Sequence, residues 1–334
     1  MTIYEIAQKA DVSIATVSRV LNGSQSVSDK TRNKVLAIME KYDYTPNAFA
    51  RGLGLNTMNT VGILCADSSD PYLAKAIYFL EENLRANQYD CFLCCTGYEL
   101  EMKQKYLNLL ISKKVDSIIL VGSNFIYEKD EDNQYIRDAA EQVPVMLLNA
   151  SYDCNNVYCI LSNDQVSMYE ATNTLLTAGA RKVLYYYNSR SYSARKKIAG
   201  YQKAMEEAGL LDPQYMQFYA GPHEDLQAMI TQLATLHESG LVFDGLVASD
   251  DNLAMAAVKY AKQYHLHIPE ELSIIGYNNS FLTACSDPEL SSIDNKLESL
   301  CNQLTEALLQ ILSGKETAKK FVFSGELIKR GTTK

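Results

Sequence analysis

Apolar residues in the first twenty-two positions recur at helical spacing, and the recurrence is broken once. Ile3, Ile6, Ala7 and Ala10 mark a first helix that Thr2 can cap. Asp11 and Val12 interrupt it, and Ser13 stands where a second N-cap belongs. Ala15, Val17, Val20 and Leu21 then form a new apolar face, while Thr16, Ser18, Arg19 and Asn22 stay polar. Two short helices joined by a tight turn can lay one helix in the major groove of DNA. Val35, Leu36, Ile38 and Met39 predict a third helix over residues 30–43, packed under the first two and stopped by Tyr44, Thr45 and Pro46. The segment NAFARGLGLNTMNT follows, where Gly52 and Gly54 each disfavour helix by about 1 kcal/mol relative to alanine. It reads as a hinge that orders only conditionally.

From Thr60 onward, short apolar runs alternate with helical periods. TVGILCA, YDCFLCC, DSIILVG and VPVMLLN are read as strands, each separated from the next by a helical pattern. YDCFLCC is read as a buried strand. A second set follows, with strands near KVLYYY, MQFYA, DGLVAS and LSIIGY. Repeated strand and helix imply a doubly wound parallel sheet covered on both faces, and two such lobes enclose a cleft. The expected division is 1–46 for the helical head, 47–59 for the hinge and 60–334 for the body. Lobe 1 takes about 60–160 and 290–325, and lobe 2 about 161–289.

A length of 334 residues requires more than one core, and 47% hydrophobic with 21% charged residues fits a globular chain. The net charge of −9 looks wrong for a nucleic-acid binder until it is divided. Residues 1–56 carry seven basic and five acidic side chains, a net +2, which leaves −11 on the body. A dimer would double the positive head against phosphate. No apolar run reaches the ~20 residues of a membrane span, and MTIYEIAQKAD resembles no secretory signal, so a cytoplasmic location is expected. The eight cysteines and four histidines show no zinc spacing, and Cys91 and Cys94 are read as structural despite their CxxC interval. GxSxG, P-loop and GxGxxG motifs are missing from the sequence. No catalytic residue, cofactor or metal is therefore expected.

The opening segment resembles the helix-turn-helix of the LacI/GalR family of bacterial transcriptional regulators. MEKYDYTPNAFARGL, VGIL, DPY, SARKKIAGY, SDDNLAMAAV, IPEELSIIGYNNS, DPELSSI and IKRGTT extend the resemblance over nearly the whole chain. It implies a helix-turn-helix domain joined to a two-lobed, periplasmic-binding-protein-like α/β body crossed three times by the chain. The last segment is expected to recross to lobe 1. It also implies a repressor whose affinity for a pseudo-palindromic operator is set by a small molecule, and a homodimer, since no heptad repeat follows IKRGTT. An activator, or a corepressor-dependent repressor with a protein or non-sugar effector, stays open. A solute-binding protein is the distant alternative, and it would need no DNA-reading head.

The resemblance places base reading on Ile14, Ala15 and Arg19, with Thr16, Ser18 and Asn22 in phosphate or auxiliary contacts, and Thr2 is counted with them among the DNA-binding residues. Ile14 and Ala15 offer apolar surface to thymine methyls, and Arg19 can fork onto guanine O6 and N7. Ile14 as a core residue of the head is the competing reading. Ala50 and Leu53 match the hinge positions that touch the dimer mate and wedge into the minor groove; for Leu53, a linker contact with lobe 1 stays open. At the strand ends, where ligands of parallel α/β lobes sit, stand Asp70, Tyr72, Asn124, Asn149, Arg195, His223, Asp250 and Asn278. Aspartates accept paired hydrogen bonds from sugar hydroxyls, amides both donate and accept, and the arginine matches a family effector ligand. A neutral or weakly acidic saccharide is the leading expectation, although Asn and Asp at such places also serve as caps and turn formers. Leu53→Ala is expected to abolish tight operator binding while leaving fold and effector binding intact. Operator affinity unchanged in a gel shift rejects the hinge role.

Overall fold

The computed structural model describes residues 1–21, 24–44 and 57–334. The head has three helices, α1 (Ile3–Ala10), α2 (Ile14–Leu21) and α3 (Asp29–Lys41). A full capping box starts α1: Thr2 Oγ accepts from the Glu5 N–H while the Glu5 carboxylate accepts from the Thr2 N–H. Ser13 Oγ accepts from the Thr16 N–H at 3.1 Å and so opens α2. Ile6, Ala7, Ala10, Val17, Val20, Val27, Val35 and Met39 form the small core. Leu36 is 46% exposed on the solvent side of α3, because the helix buries Val35 and Met39, four residues apart, with Ile38 packed beside them.

Lobe 1 is a parallel sheet in the order β11-β5-β4-β3-β1-β2. Its strands are β1 (Thr60–Cys65), β2 (Asp90–Cys95), β3 (Ser117–Val121), β4 (Val145–Leu148), β5 (Val157–Ser162) and β11 (Lys320–Phe323). Ile118 and Leu120 of β3 join the cluster beneath α5 (Leu100–Ser112) and α6 (Gln134–Ala140). Ile119 and Val121 join the opposite cluster, under α4 (Pro71–Ala86) and α12 (Leu297–Leu312). That alternation is why β3 is apolar at every position after Ser117.

Lobe 2 repeats the plan with the order β12-β10-β9-β8-β6-β7. Its strands are β6 (Val183–Tyr187), β7 (Met216–Phe218), β8 (Gly245–Ala248), β9 (Ser273–Tyr277), β10 (Ser291–Asp294) and β12 (Glu326–Ile328), the last antiparallel to β10. Its helices are α7 (Asp164–Thr177), α8 (Tyr192–Glu207), α9 (Leu226–Glu238), α10 (Asp251–Gln263) and the short α11 (Leu282–Cys285).

Two expectations are corrected. YDCFLCC forms an edge strand rather than a buried one: Phe92 is 45% and Leu93 46% exposed, and the Cys95 side of the strand faces solvent. An apolar run reveals a liking for burial, not whether a second strand lies beyond it. The C-terminal third also divides differently. Residues 291–294 stay in the second sheet, α12 and β11 cross to lobe 1, and β12 returns to lobe 2. Pairing of Ser292 with both Gly276 and Ile328 holds β10 there, a long-range constraint that local periodicity does not carry.

The chain therefore passes between the lobes three times, at Ser162–Asp164, Asp294–Leu297 and Phe323–Glu326. The Asn163 N–H donates to the Phe323 carbonyl at 2.8 Å, binding the first passage to the third. Lys296 Nζ reaches Glu326 at 2.6 Å and Asp294 at 3.4 Å, binding the second to the third. Within lobe 2, α7 and α8 touch closely at Gly200, where an added Cβ would stand 2.2 Å from the Gln165 carbonyl oxygen and 2.9 Å from the Tyr169 nitrogen.

Gly200→Ala gains about 1 kcal/mol of helix propensity, but a backbone carbonyl cannot rotate away from a methyl, so the two helices must separate. We expect a net loss of about 1–3 kcal/mol from overpacking, read as a lowered urea midpoint. An unchanged or raised midpoint would show that this contact is not close in solution.

Candidate DNA-reading face and interlobe cleft

On α2 the helical period separates two faces. Val17 and Val20 are buried against α1 and α3, whereas Ile14, Ala15 and Arg19 are exposed and Thr16 and Ser18 half-buried. Ile14 is 42% exposed, which sets aside the core reading. An apolar side chain on the outer face of a short helix, one turn from a free guanidinium, suits a surface that meets base edges. Thr2 stands at the start of α1, occupied as its cap. Asn22, Ala50 and Leu53 lie outside the described residues.

Between the lobes is a cleft of about 560 Å³. Lobe 1 contributes the first turns of α4, and lobe 2 the start of α10 and the loop after β9. Asp70 and Asp250 face it from opposite lobes, each as the N-cap of a helix. Asp70 Oδ1 accepts the N–H groups of Tyr72 and Leu73 at 2.8 and 3.0 Å. Asp250 Oδ1 accepts from the Leu253 N–H at 2.9 Å, and its Oδ2 accepts from Asn188 Nδ2 at 2.6 Å. The same Asn188 nitrogen lies 3.0 Å from His223 Nδ1. Each aspartate is thus both a cap and a wall of the cleft, so the turn-former reading and the binding reading coexist.

Behind these walls the floor is polar and buried. Asp251 accepts from Ser292 Oγ and from the Ser280 N–H, both at 2.6 Å, and burial pushes its carboxyl up to about 6. Burial also raises Asp70. Asp164 accepts from Ser193 Oγ at 2.5 Å and Tyr277 Oη at 2.6 Å; burial raises it, opposed by the charge of Lys197. Lys197 Nζ donates to the Ser249 carbonyl at 2.9 Å and lies 3.6 Å from the centre of the Tyr277 ring. Burial lowers its pKa. Among the described residues, Tyr72 Oη, Ser280 Oγ and Asn295 Oδ1 are buried with no hydrogen-bond partner. Such groups are costly unless something polar reaches them.

Of the eight expected ligand residues, Asp70, Tyr72, His223, Asp250 and Asn278 line this cleft, and three do not. Arg195 faces the rim, where its Nε lies 3.2 Å from Glu128 of lobe 1. The Asn124 carbonyl accepts from Lys103 Nζ at 2.6 Å, with its amide nitrogen buried and unpartnered. Asn149, buried at φ +64°, turns the chain after β4 and accepts from the Ser162 N–H at 3.4 Å. Neither basic residue of SARKKIAGY that flanks Lys196 lines this cleft. The buried face of α8 runs through Ser193, Lys197, Gly200, Tyr201 and Ala204, so Lys197 points inward and Arg195 outward. That phase was readable from the period. Asp251, Ser280 and Phe281 were also missed, being singled out only by packing.

The rim beyond Arg195 is clasped shut. Ser123 Oγ of lobe 1 donates to Ser191 Oγ at the head of α8 at 2.8 Å, and Tyr192 of lobe 2 packs into the apolar cluster under α5 and α6.

Residues 2–47 match the family described as "Bacterial regulatory proteins, lacI family", and residues 172–333 a "Periplasmic binding protein-like domain". The chain is 50% identical over 334 residues to an HTH-type transcriptional regulator of Lachnoclostridium phytofermentans, covering all of this chain and 99% of that protein. It is 30% identical to the HTH-type transcriptional regulator DegA of Bacillus subtilis, covering 99% and 98% of the two chains. Its fold matches the lac repressor dimer bound to operator and the anti-inducer ONPF, with a TM-score of 0.87 at 22% identity over 100% of this chain and 99% of that one.

Because the Asp251 carboxyl is raised from 3.8 to about 6, the folded chain holds a proton between those values that the unfolded chain has released. Stability therefore falls as pH rises through that window, and Asp70 and Asp164, also raised by burial, add to the same slope. Asp251→Asn should flatten it by up to about 1.4 kcal/mol per pH unit, measured by urea unfolding at pH 4 to 7. An equal slope in the two proteins removes Asp251 as the source.

Proposed function

Because this chain belongs to the lacI family of bacterial regulatory proteins, we propose that it acts as a homodimer whose paired heads read a pseudo-palindromic operator, and whose clefts bind a saccharide that sets operator affinity. The chain is a sequence-specific DNA-binding transcriptional regulator with an effector-binding body. The observation that carries the reading is the joining of an exposed Ile14–Arg19 face to a cleft walled by aspartates of two lobes. Its relatives are regulators rather than enzymes. No helix among the described residues is long and apolar enough to cross a membrane, which supports work in the cytoplasm beside the chromosome.

In the head, Ile14, Ala15 and Arg19 contact bases, Thr2, Thr16, Ser18 and Asn22 secure the backbone, and Ala50 and Leu53 belong to the hinge. In the body, Asp70 and Asp250 accept hydroxyl protons from two sides, with Tyr72, His223 and Asn278 completing the wall. Lys197 and Asp251 set the electrostatics of the floor. The exposed apolar edge, with Tyr78 on α4 and Phe92 and Leu93 on β2, supports burial against a second copy.

Coupling follows from the three passages between the lobes. A ligand that touches both lobes favours one lobe arrangement over others, and lobe 1 adjoins the hinge in sequence. Pairing two lobes 1 in a dimer turns that preference into hinge spacing and operator affinity, with a coupling of about 1–3 kcal/mol.

Arg19→Met is expected to weaken operator binding by about 1–3 kcal/mol, measured by fluorescence anisotropy at fixed salt, with little change on a random duplex. An equal loss on both duplexes would reduce Arg19 to a phosphate contact.

A further inference from the structure

The cleft has two zones. Its floor is buried and polar: Asp251 is 3% exposed, and the hydroxyls of Tyr72 and Ser280 have no partner among the described residues. Its mouth sets apolar groups among charged ones: Lys75, Lys296 and Glu298 also line the cavity, and Lys75 Nζ lies 4.6 Å from the centre of the Phe79 ring. Phe79 on α4 and Leu297 at the start of α12 are half-buried, and Phe281 on the loop after β9 is 84% exposed, yet all three line the same cavity. Phe79 belongs to lobe 1 and Phe281 to lobe 2. On the rim of α8 the lobes are clasped together by Ser123–Ser191, Tyr192 and Arg195–Glu128.

A pyranose ring carries hydroxyls around its edge and C–H groups on its faces. The edge matches acceptors such as the free oxygen of Asp70, and the faces match aromatic rings. One ring seated among Asp70, Asp250, Asp251 and Ser280 would leave the mouth uncovered. A cleft of about 560 Å³ is within the range for drug-sized ligands, which bury most of their surface. Building on the saccharide reading above, we propose that the effector is a linear oligosaccharide of two or more rings. Its terminal ring fills the polar floor, and the next lies against Phe79 and Phe281 at the mouth. The protein thus recognises a chain end, and the rest of the chain projects into solvent.

The test is calorimetric titration of the full-length protein with matched mono-, di- and trisaccharides of glucose, xylose, mannose and galactose, repeated with Phe281→Ala and Phe281→Tyr. In one series a di- or trisaccharide should bind at least about tenfold more tightly than its monosaccharide. Phe281→Ala should cost that longer sugar about three- to tenfold and the monosaccharide nothing measurable, and Phe281→Tyr should restore the difference. Phe281 is solvent-exposed, so its removal leaves the core untouched. Sugar binding with no dependence on length, or a length preference that survives Phe281→Ala, overturns the inference while sparing the saccharide reading. Silence across the whole panel overturns the saccharide reading, and this inference with it.

Discussion

Asp164 begins α7 immediately after the first passage between the lobes, and its carboxylate points into the interior. An isolated buried charge would cost several kcal/mol. Here one oxygen accepts from Ser193 on α8 and the other from Tyr277 on β9, while Lys197 lies over the ring of that tyrosine. Three elements distant in sequence must stay assembled for this charge to remain solvated by protein. The same constraint holds Lys197 inside lobe 2, between the Ser249 carbonyl and the Tyr277 ring. Removing any one partner would leave a buried polar group unpaired, so the junction is stable as a set.

A second economy operates at the helix starts. Asp70 and Asp250 each cap a helix, using one carboxylate oxygen on backbone N–H groups at the positive end of the helix dipole. Capping fixes the side chain in one rotamer. Of the four oxygens, only Asp70 Oδ2 has no bond within the described chain, Asp250 Oδ2 being held by Asn188. In the proposed reading, acceptors held rigid on two lobes take a hydroxylated ligand with little ordering cost, and because they belong to different lobes, binding and lobe closure are one event.

The head obeys a simpler rule. Eight buried side chains make its core, enough to fix three short helices but not to hide Ile14. The apolar face of α2 is satisfied by Val17 and Val20, so Ile14, Ala15 and Arg19 remain outside with no structural duty. At the far edge of lobe 1 the reverse holds. Phe92 and Leu93 are apolar without being buried by this chain, which is why an accurate reading of their hydrophobicity led to the wrong expectation of their environment.

Periodicity determined the helical head, the alternation of strand and helix and the two lobes, and a count of charged residues the division between +2 and −11. Five of eight cleft residues were legible too, because strand ends in parallel sheets converge on one edge whatever the packing. Helical phase also foretold that Lys197 is buried and Arg195 is not, since neighbours two apart on a helix face nearly opposite ways. Tertiary structure alone decided the rest. It put β2 at an edge, returned residues 291–294 and 326–328 to the second sheet, shut the rim with Ser123 and Ser191, and brought Phe79 and Phe281 to one mouth. Those outcomes depend on pairings between segments tens to hundreds of residues apart, whereas a sequence pattern records only what each segment prefers on its own.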